Sequence, residues 1–537
     1  MRYLCGMIGL LFACIALGWA GDDEEAFVDT AENPDPVILP SSLPGPRLAP
    51  EAPARIVELP PTEVPPEDWE GYKHPFFVAG YVAPAPPNLH KAFRWTRIAT
   101  NDRRGKVGVL DCQGKVGVLV LRSAGAKALR VRFSGKCWNP AVELRVFAPN
   151  ENVAFLSHPT WDEEGNWWTT IIFGDAIGLE LFVPEGVPTV ELPEITAIAY
   201  HFAGPEAVPQ GDFEPASGCP LLDVACYPEW RDSTALTVCM LAFIAGGNVS
   251  GYCSGNSLAR WGSDFAPIIM SARHCFSTRD VHTTVFIWRY QNDSCNGTPP
   301  NPNTLPRNTG ALLLKQHQGS DWAILGAYEP LATTVYAGWS SGYWANNSTG
   351  TAISHPMSPA PPGGPFKRIA FATKTGDTTC GAVGGSSTYL VRWTNSTTRR
   401  GSSGSGIFDD ARYIRGTASC VSTCVLNDPK CCPPNSNALG YYGRLDVAFP
   451  IVRWYIWQMA NPTYVDRAVA GDPNNEGDTE RGTSANPFNT VYEGTFCVPS
   501  NGTVRIRPGN YNERFRVWRP MRLERDGTSG IVRIGAP

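Results

Sequence analysis

The sequence predicts a mostly β protein built from several β units in series. Three observations carry that expectation. The 537 residues include 53 glycines, 48 prolines and 17 tryptophans, a turn-rich composition that suits strands better than helices. Short apolar runs alternate with polar positions at a period of two, with turns about every eight to twelve residues. A histidine, an aspartate and a glycine-flanked serine follow one another in the central region, spaced widely enough to sit on two separate barrels. The length suits three or four domains. A net charge of −5 with 18% charged residues gives no reason to expect a nucleic-acid partner.

Residues 1–20 read as a signal peptide: Arg2, an apolar stretch from Leu4 to Leu17, then Gly18-Trp19-Ala20 before the acidic Gly21-Asp22-Asp23-Glu24-Glu25. The stretch is too short to favour a membrane anchor, and no later apolar run is long enough to span a bilayer. The expected product is therefore exported, to the medium, the periplasm or the cell surface. Of the 16 cysteines, Cys5 and Cys14 lie in this segment and leave an even number behind, as an oxidising compartment favours.

Residues 21–75 are proline-rich and acidic and read as an extended, disordered leader. In 76–205 the runs Val118–Arg122, Leu129–Phe133, Val142–Phe147, Thr170–Phe173 and Leu179–Val183 predict a small antiparallel β-sandwich. The link 204–215 is the expected maturation site. Residues 206–460 form the next unit, closed by an apolar strand or helix over Val447–Trp457. In 466–537, Gly/Asn corners separate short runs such as Val504-Arg505-Ile506, which predicts one or two coils of a right-handed parallel β-helix.

The chemistry lies in 206–460. Ser271-Ala272-Arg273-His274-Cys275, Gly319-Ser320-Asp321-Trp322 and Arg400-Gly401-Ser402-Ser403-Gly404-Ser405-Gly406 supply a base, a carboxylate and a nucleophile. A serine hydroxyl attacks well only when a neutral imidazole takes its proton and a carboxylate fixes that imidazole's tautomer. Glycines around the serine allow a sharp turn that can aim the amides of Gly401 and Ser403 at an oxyanion. The histidines are 74, 90, 158, 201, 274, 282, 317 and 355, so none follows Ser403. That excludes the Ser–Asp–His order of α/β-hydrolases and leaves the chymotrypsin order. Taken singly, each piece has a plain reading: a Gly/Ser linker, a structural histidine, a turn aspartate. Their order together favours a triad of His274, Asp321 and Ser403.

From about Ser217 to Trp457 the chain resembles the secreted bacterial lysyl endopeptidases, a branch of the trypsin-like, chymotrypsin-fold serine endopeptidases. The resemblance rests on Cys219–Cys226, Gly251-Tyr252-Cys253-Ser254-Gly255, Val285–Cys295, Tyr336–Trp339, Ile353–Pro356, the loop around Ser403 and Tyr442-Gly443-Arg444. It implies a two-barrel chymotrypsin-like protease domain preceded by a β-sandwich pro-region that assists folding or inhibits. It also implies protein or peptide substrates, the same three catalytic residues, and disulfides Cys253–Cys275 and Cys226–Cys295. A third bond from Cys219 to Cys424 or Cys420 is implied as well, while Cys112–Cys137 is suggested by the isolation of those two residues. His355 and Trp339 are expected on the substrate side or in packing. No metal or organic cofactor is expected.

Three departures bear on specificity and activation. Lysine-specific members carry an aspartate shortly before Tyr-Gly-Arg, whereas Ala438, Leu439, Gly440 and Tyr441 stand here. Because a buried ammonium needs a carboxylate, lysine and a small or apolar P1 residue both stay open. The strand after the nucleophile lacks the family's histidine. Ser402 precedes the nucleophile, so activation through an N-terminal ion pair is not expected. The alternatives to a serine endopeptidase are a catalytically silent binding or adhesion protein on the same scaffold, and an esterase using the same triad.

Overall fold

The computed structural model describes residues 27–28, 31–32, 42–66, 69–70, 74–99, 113–134, 139, 141–159, 162, 165–187, 192–204, 221–260, 265–276, 280–357, 366–421, 432–435, 437–457, 460–469, 480–513, 517 and 519–535. The predicted signal peptide, the expected cleavage link from residue 205 on, and Cys112, Cys137, Cys219 and Cys424 lie outside them.

The chain is mostly β, with a closed six-strand barrel and a second sheet curled into a half-barrel. In the first barrel, Val238–Ala245 and Val249–Ser257 pair as a hairpin, closed by Gly246 and Gly247, both in the left-handed conformation such turns demand. Ile268–Ala272, Val285–Ile287, Ala311–His317 and Trp322–Ala327 complete its wall. The second sheet runs through Thr349–Ser354, Arg368–Cys380, Ser386–Trp393, Gly406–Phe408, Ile414–Val421 and Leu439–Arg444. The expected closing element over 447–457 is a helix, Leu445–Ile456, whose Leu445, Ala448, Val452 and Ile456 are buried.

Upstream stands the two-sheet sandwich. One sheet holds Glu143–Phe147, Val153–Ser157, Ala176–Pro184 and Gln113–Arg122. The other holds Asn166–Trp168, Ala128–Ser134, Glu194–His201 and Phe77–Pro84. Phe77–Pro84 also pairs with Val249–Ser257, so this second sheet runs without a break into the first barrel.

The segment expected to be a disordered leader is partly woven into the fold. Gly45–Pro46 and Arg55–Glu58 add strands to the sandwich, the Leu48 and Ala49 amides donate to the buried Glu180 carboxylate, and Leu59 is buried. Proline-rich sequence reads as disorder only when nothing nearby offers an open edge, and here two sheet edges do. At the C-terminal side, Thr463–Val465, Thr503–Ile506 and Arg522–Arg525 pair in parallel, as do Gly509–Tyr511 and Val532–Ile534. These are stacked coils of the predicted β-helix kind. The short helix Val491–Cys497, capped by Thr490, seats them on the first barrel. There Tyr492 Oη donates to Ala327 O at 2.9 Å and Arg260 reaches Phe496 O.

Candidate active site

His274 and Asp321 meet because two adjacent strands end together. Ile268–Ala272 pairs antiparallel with Trp322–Ala327, and its last pair is Ala272 with Trp322. The chain leaves the first strand through a tight turn, Arg273–Cys275, and enters the second from Asp321, which holds the left-handed conformation at φ 58°. That unusual backbone presents both carboxylate oxygens to the turn opposite. Oδ1 accepts the His274 amide at 3.0 Å, Oδ2 lies 2.7 Å from His274 Nδ1, and Asp321 O accepts the Arg273 amide at 2.9 Å. A carboxylate only accepts, so Nδ1 carries the proton and the lone pair sits on Nε2. Nε2 is buried and makes no hydrogen bond among the described residues. The side chains of His274 and Asp321 are 5% and 2% exposed, which keeps water from competing for the pair. The Cys253–Cys275 disulfide ties the histidine turn to Val249–Ser257.

Ser403 sits in a turn between Gly401 (φ 92°) and Gly404 (φ 87°), conformations that L side chains rarely adopt. A side chain at 404 would also collide with Ser271 and with the Ala272 amide, two positions before His274. The serine turn is thus pressed against the strand end that carries the histidine. Its frame is hydrogen-bonded throughout. The amides of Ser402, Gly404 and Ser405 donate to Arg399, Ala418 and Ser402 carbonyls, and the Met357 amide holds Arg400 O at 2.7 Å. In a trans peptide the carbonyl and the next N–H point opposite ways, so anchoring Arg400 O turns the Gly401 N–H away from Met357. Ser403 Oγ makes no hydrogen bond to His274 Nε2 in this structure. Catalytic hydrogen bonds often tighten only when substrate is bound.

Ser254 is a residue that motif reading did not single out. From the first barrel it donates its amide to Ser403 O at 2.7 Å and its hydroxyl to Gly401 O at 2.9 Å. The hydroxyl also accepts the His355 amide at 3.0 Å, and Ser254 O accepts Ser271 Oγ at 2.8 Å. One buried residue therefore links the serine turn, the strand before the histidine and the 354–357 segment. Its motif was visible, but its partner Gly401 lies 147 residues further on.

Other expected residues fall as follows. Trp339 is fully buried, donates to Ala259 O and packs on Phe449 and Trp457, which makes it a core residue. His355 is buried and stacked nearly parallel on Tyr290, 6.3 Å between centroids. Ser402, where an activating aspartate could stand, is buried with its hydroxyl 2.9 Å from Ser354 Oγ. Before Tyr442, Gly440 has no room for any side chain, because an added Cβ would come within 2.6 Å of the Trp393 ring. Cys226 is bonded to Cys295. Cys420, however, is bonded to Cys380, not to Cys219. The strands Arg368–Cys380 and Ile414–Val421 end close together in the curled sheet, and sequence spacing could not reveal that. Cys239 stays a buried thiol, its pKa pushed up by burial. Among the described residues no helix is long and apolar enough to cross a membrane.

Comparison with known proteins adds the family. Residues 214–437 match the family model for the lysyl endopeptidase C-terminal domain, and residues 110–194 match that for the lysyl endopeptidase N-terminal domain. No curated protein matches the chain. Among solved structures, the HtrA-type protease AlgW with decapeptide is similar over 41% of this chain and 64% of its own, at 10% identity and a TM-score of 0.29. So slight a likeness carries no weight for function. The two family matches together span more than half of the sequence, they include the sandwich as well as the barrels, and the chain belongs to the lysyl endopeptidase family.

Proposed function

We propose that the chain is a secreted serine endopeptidase, made as a precursor, in which His274, Asp321 and Ser403 form the catalytic triad. The observation that carries this reading is the buried His274 ring, locked on Asp321 through Nδ1 with its other nitrogen unengaged beside the serine turn. His274 Nε2 takes the Ser403 proton as Oγ attacks the scissile carbonyl. Asp321 keeps the tautomer and stabilises the imidazolium. The Gly401 and Ser403 amides receive the oxyanion, each contributing about 10²–10³ in rate in enzymes of this kind. Imidazolium then protonates the leaving amine, and water, activated by the same base, resolves the acyl-enzyme. The sandwich acts as the pro-region that assists folding.

Lysine at P1 is disfavoured. None of Ala438, Leu439, Gly440 and Tyr441 offers a carboxylate to an ammonium, and at Gly440 Trp393 occupies the space any side chain would need. Small or apolar P1 residues need no such partner. A fluorophosphonate probe tests the triad: adduct on Ser403, absent in His274→Ala, is the expected result, and no adduct leaves the silent binding reading standing. A denatured-proteome digest tests specificity. Cleavage confined to lysine overturns the pocket argument, and ester turnover without peptide cleavage favours the esterase.

A further inference from the structure

We propose that the N-terminal sandwich is a permanent subunit of this protein, which stays bound to the barrels when the link between them is cut. The first support is the wall of the first barrel. Val238–Ala245 and Val249–Ser257 are buried at every position, so they are covered on both faces. Cys239, Leu241, Phe243 and Phe286 point into the barrel's own core. Their alternates Met240, Ala242, Tyr252, Val285 and Ile287 point outward and pack with Phe77, Ala79, Ala128, Ile171 and Phe173 of the sandwich. Outward-facing Ile244 likewise packs with Trp168, Ala197 and Ala199. A barrel that met water after shedding its partner would show polar residues at those alternate positions. Stripped of the sandwich, this one would expose a contiguous apolar face of a kind soluble proteins avoid.

The second support is backbone pairing. Tyr81, Gly80, Val78 and Phe77 pair with Val249, Ser250, Gly251 and Tyr252, so departure of the sandwich would open a sheet edge. Upstream of the sandwich, Phe27–Val28 and Ala31–Glu32 pair with strands at Trp339–Ser340 and Val335–Tyr336, which ties the same fragment down a second time.

The third support is a set of buried polar groups that hydrogen-bond across the seam. Arg130 Nη2 donates to Thr283 O and Arg307 Nη1 to Ile171 O, both at 2.7 Å. Asn303 exchanges two hydrogen bonds with the Phe173 backbone, and His201 Nδ1 lies 2.9 Å from Tyr252 Oη. Burial lowers both arginines to about 9, a cost that the fixed carbonyl acceptors offset.

The proposal deepens the endopeptidase reading, which locates the cut, but its test needs no catalysis. In the full chain carrying Ser403→Ala, a recognition sequence for a site-specific protease is placed between Gly204 and Leu221. After cutting, gel filtration and native mass spectrometry are run at nanomolar concentration. Both fragments travelling as one species at the elution volume of the uncut chain is the expected result. Two separated species in physiological buffer overturn the proposal. In the cut protein, Ile287→Asp should weaken the association by at least about 100-fold, since it puts a charge into the apolar seam. Unchanged association overturns the role given to that face. Because the chain tested carries Ser403→Ala, the result does not depend on whether the triad is catalytic.

Discussion

The two halves of the candidate site are held in different ways. The histidine–aspartate half is self-contained. Two paired strands end together, one aspartate accepts both the amide and the ring of one histidine, and a disulfide anchors the turn. The serine half lies on a turn with two left-handed glycines and depends on neighbours, chiefly Ser254 from the other barrel and Met357 behind it. The proposed acid–base pair is thus built by local sheet geometry, while the proposed nucleophile and oxyanion donors are placed by contacts across the molecule. Damage to the second half should therefore arise from residues that never touch substrate.

Four measurements sharpen or break that contrast, taken from the largest effect to the smallest. Ser403→Ala or His274→Ala should lower kcat by about 10⁶, and the double variant should be no worse than either alone, because the two act as a unit. Additive losses on peptide substrate would break the assignment. Asp321→Asn should keep the fold but cost about 10⁴ in kcat, by favouring the wrong imidazole tautomer. A variant of near-normal activity would show that the carboxylate only shapes the turn. Ser254→Ala keeps the amide bond to Ser403 O and loses the hydroxyl bond to Gly401 O. A drop of about 10- to 100-fold in kcat with little change in KM is expected, as for partial loss of oxyanion alignment. A change confined to thermal stability would make Ser254 a packing residue.

The fourth concerns the seam rather than the site. Burial, with the Arg130 charge nearby, pushes His201 down to about 3 from its ordinary 6.5. Between those values the unfolded chain binds a proton that the folded chain refuses. Stability is therefore full above pH 6.5 and falls as pH drops toward 3, by on the order of a few kcal/mol in all. Melting curves from pH 7.5 to 5 should show it. His201→Gln should flatten the slope, and an unchanged slope would assign the acid sensitivity elsewhere.

The legible parts of the chain are those where chemistry and local order coincide. His274, Asp321 and Ser403 stand in short motifs whose order alone excludes the α/β-hydrolase fold, and alternating runs such as Leu129–Phe133 mark sandwich strands. Contacts between distant segments were not legible. Nothing near Cys420 names Cys380 as its partner, and nothing near Ser254 names Gly401. Phe77–Pro84 falls inside the span assigned to the sandwich, and nothing in its residues says which sheet lies on each of its edges. The uniformly apolar Val238–Ala245 did carry a signal that both its faces are covered, but only the structure says by what.

Gly443, in the Tyr442-Gly443-Arg444 motif, has the Ser320 carbonyl where a Cβ would be, and its own carbonyl accepts Trp322 Nε1 at 2.8 Å. The residues on either side of Asp321 therefore dictate a bare position on the opposite barrel. Anyone grafting one barrel of this chain onto a homologue must move that glycine and the aspartate turn together, or the chimaera will be wedged apart at the place where its carboxylate has to be steadiest.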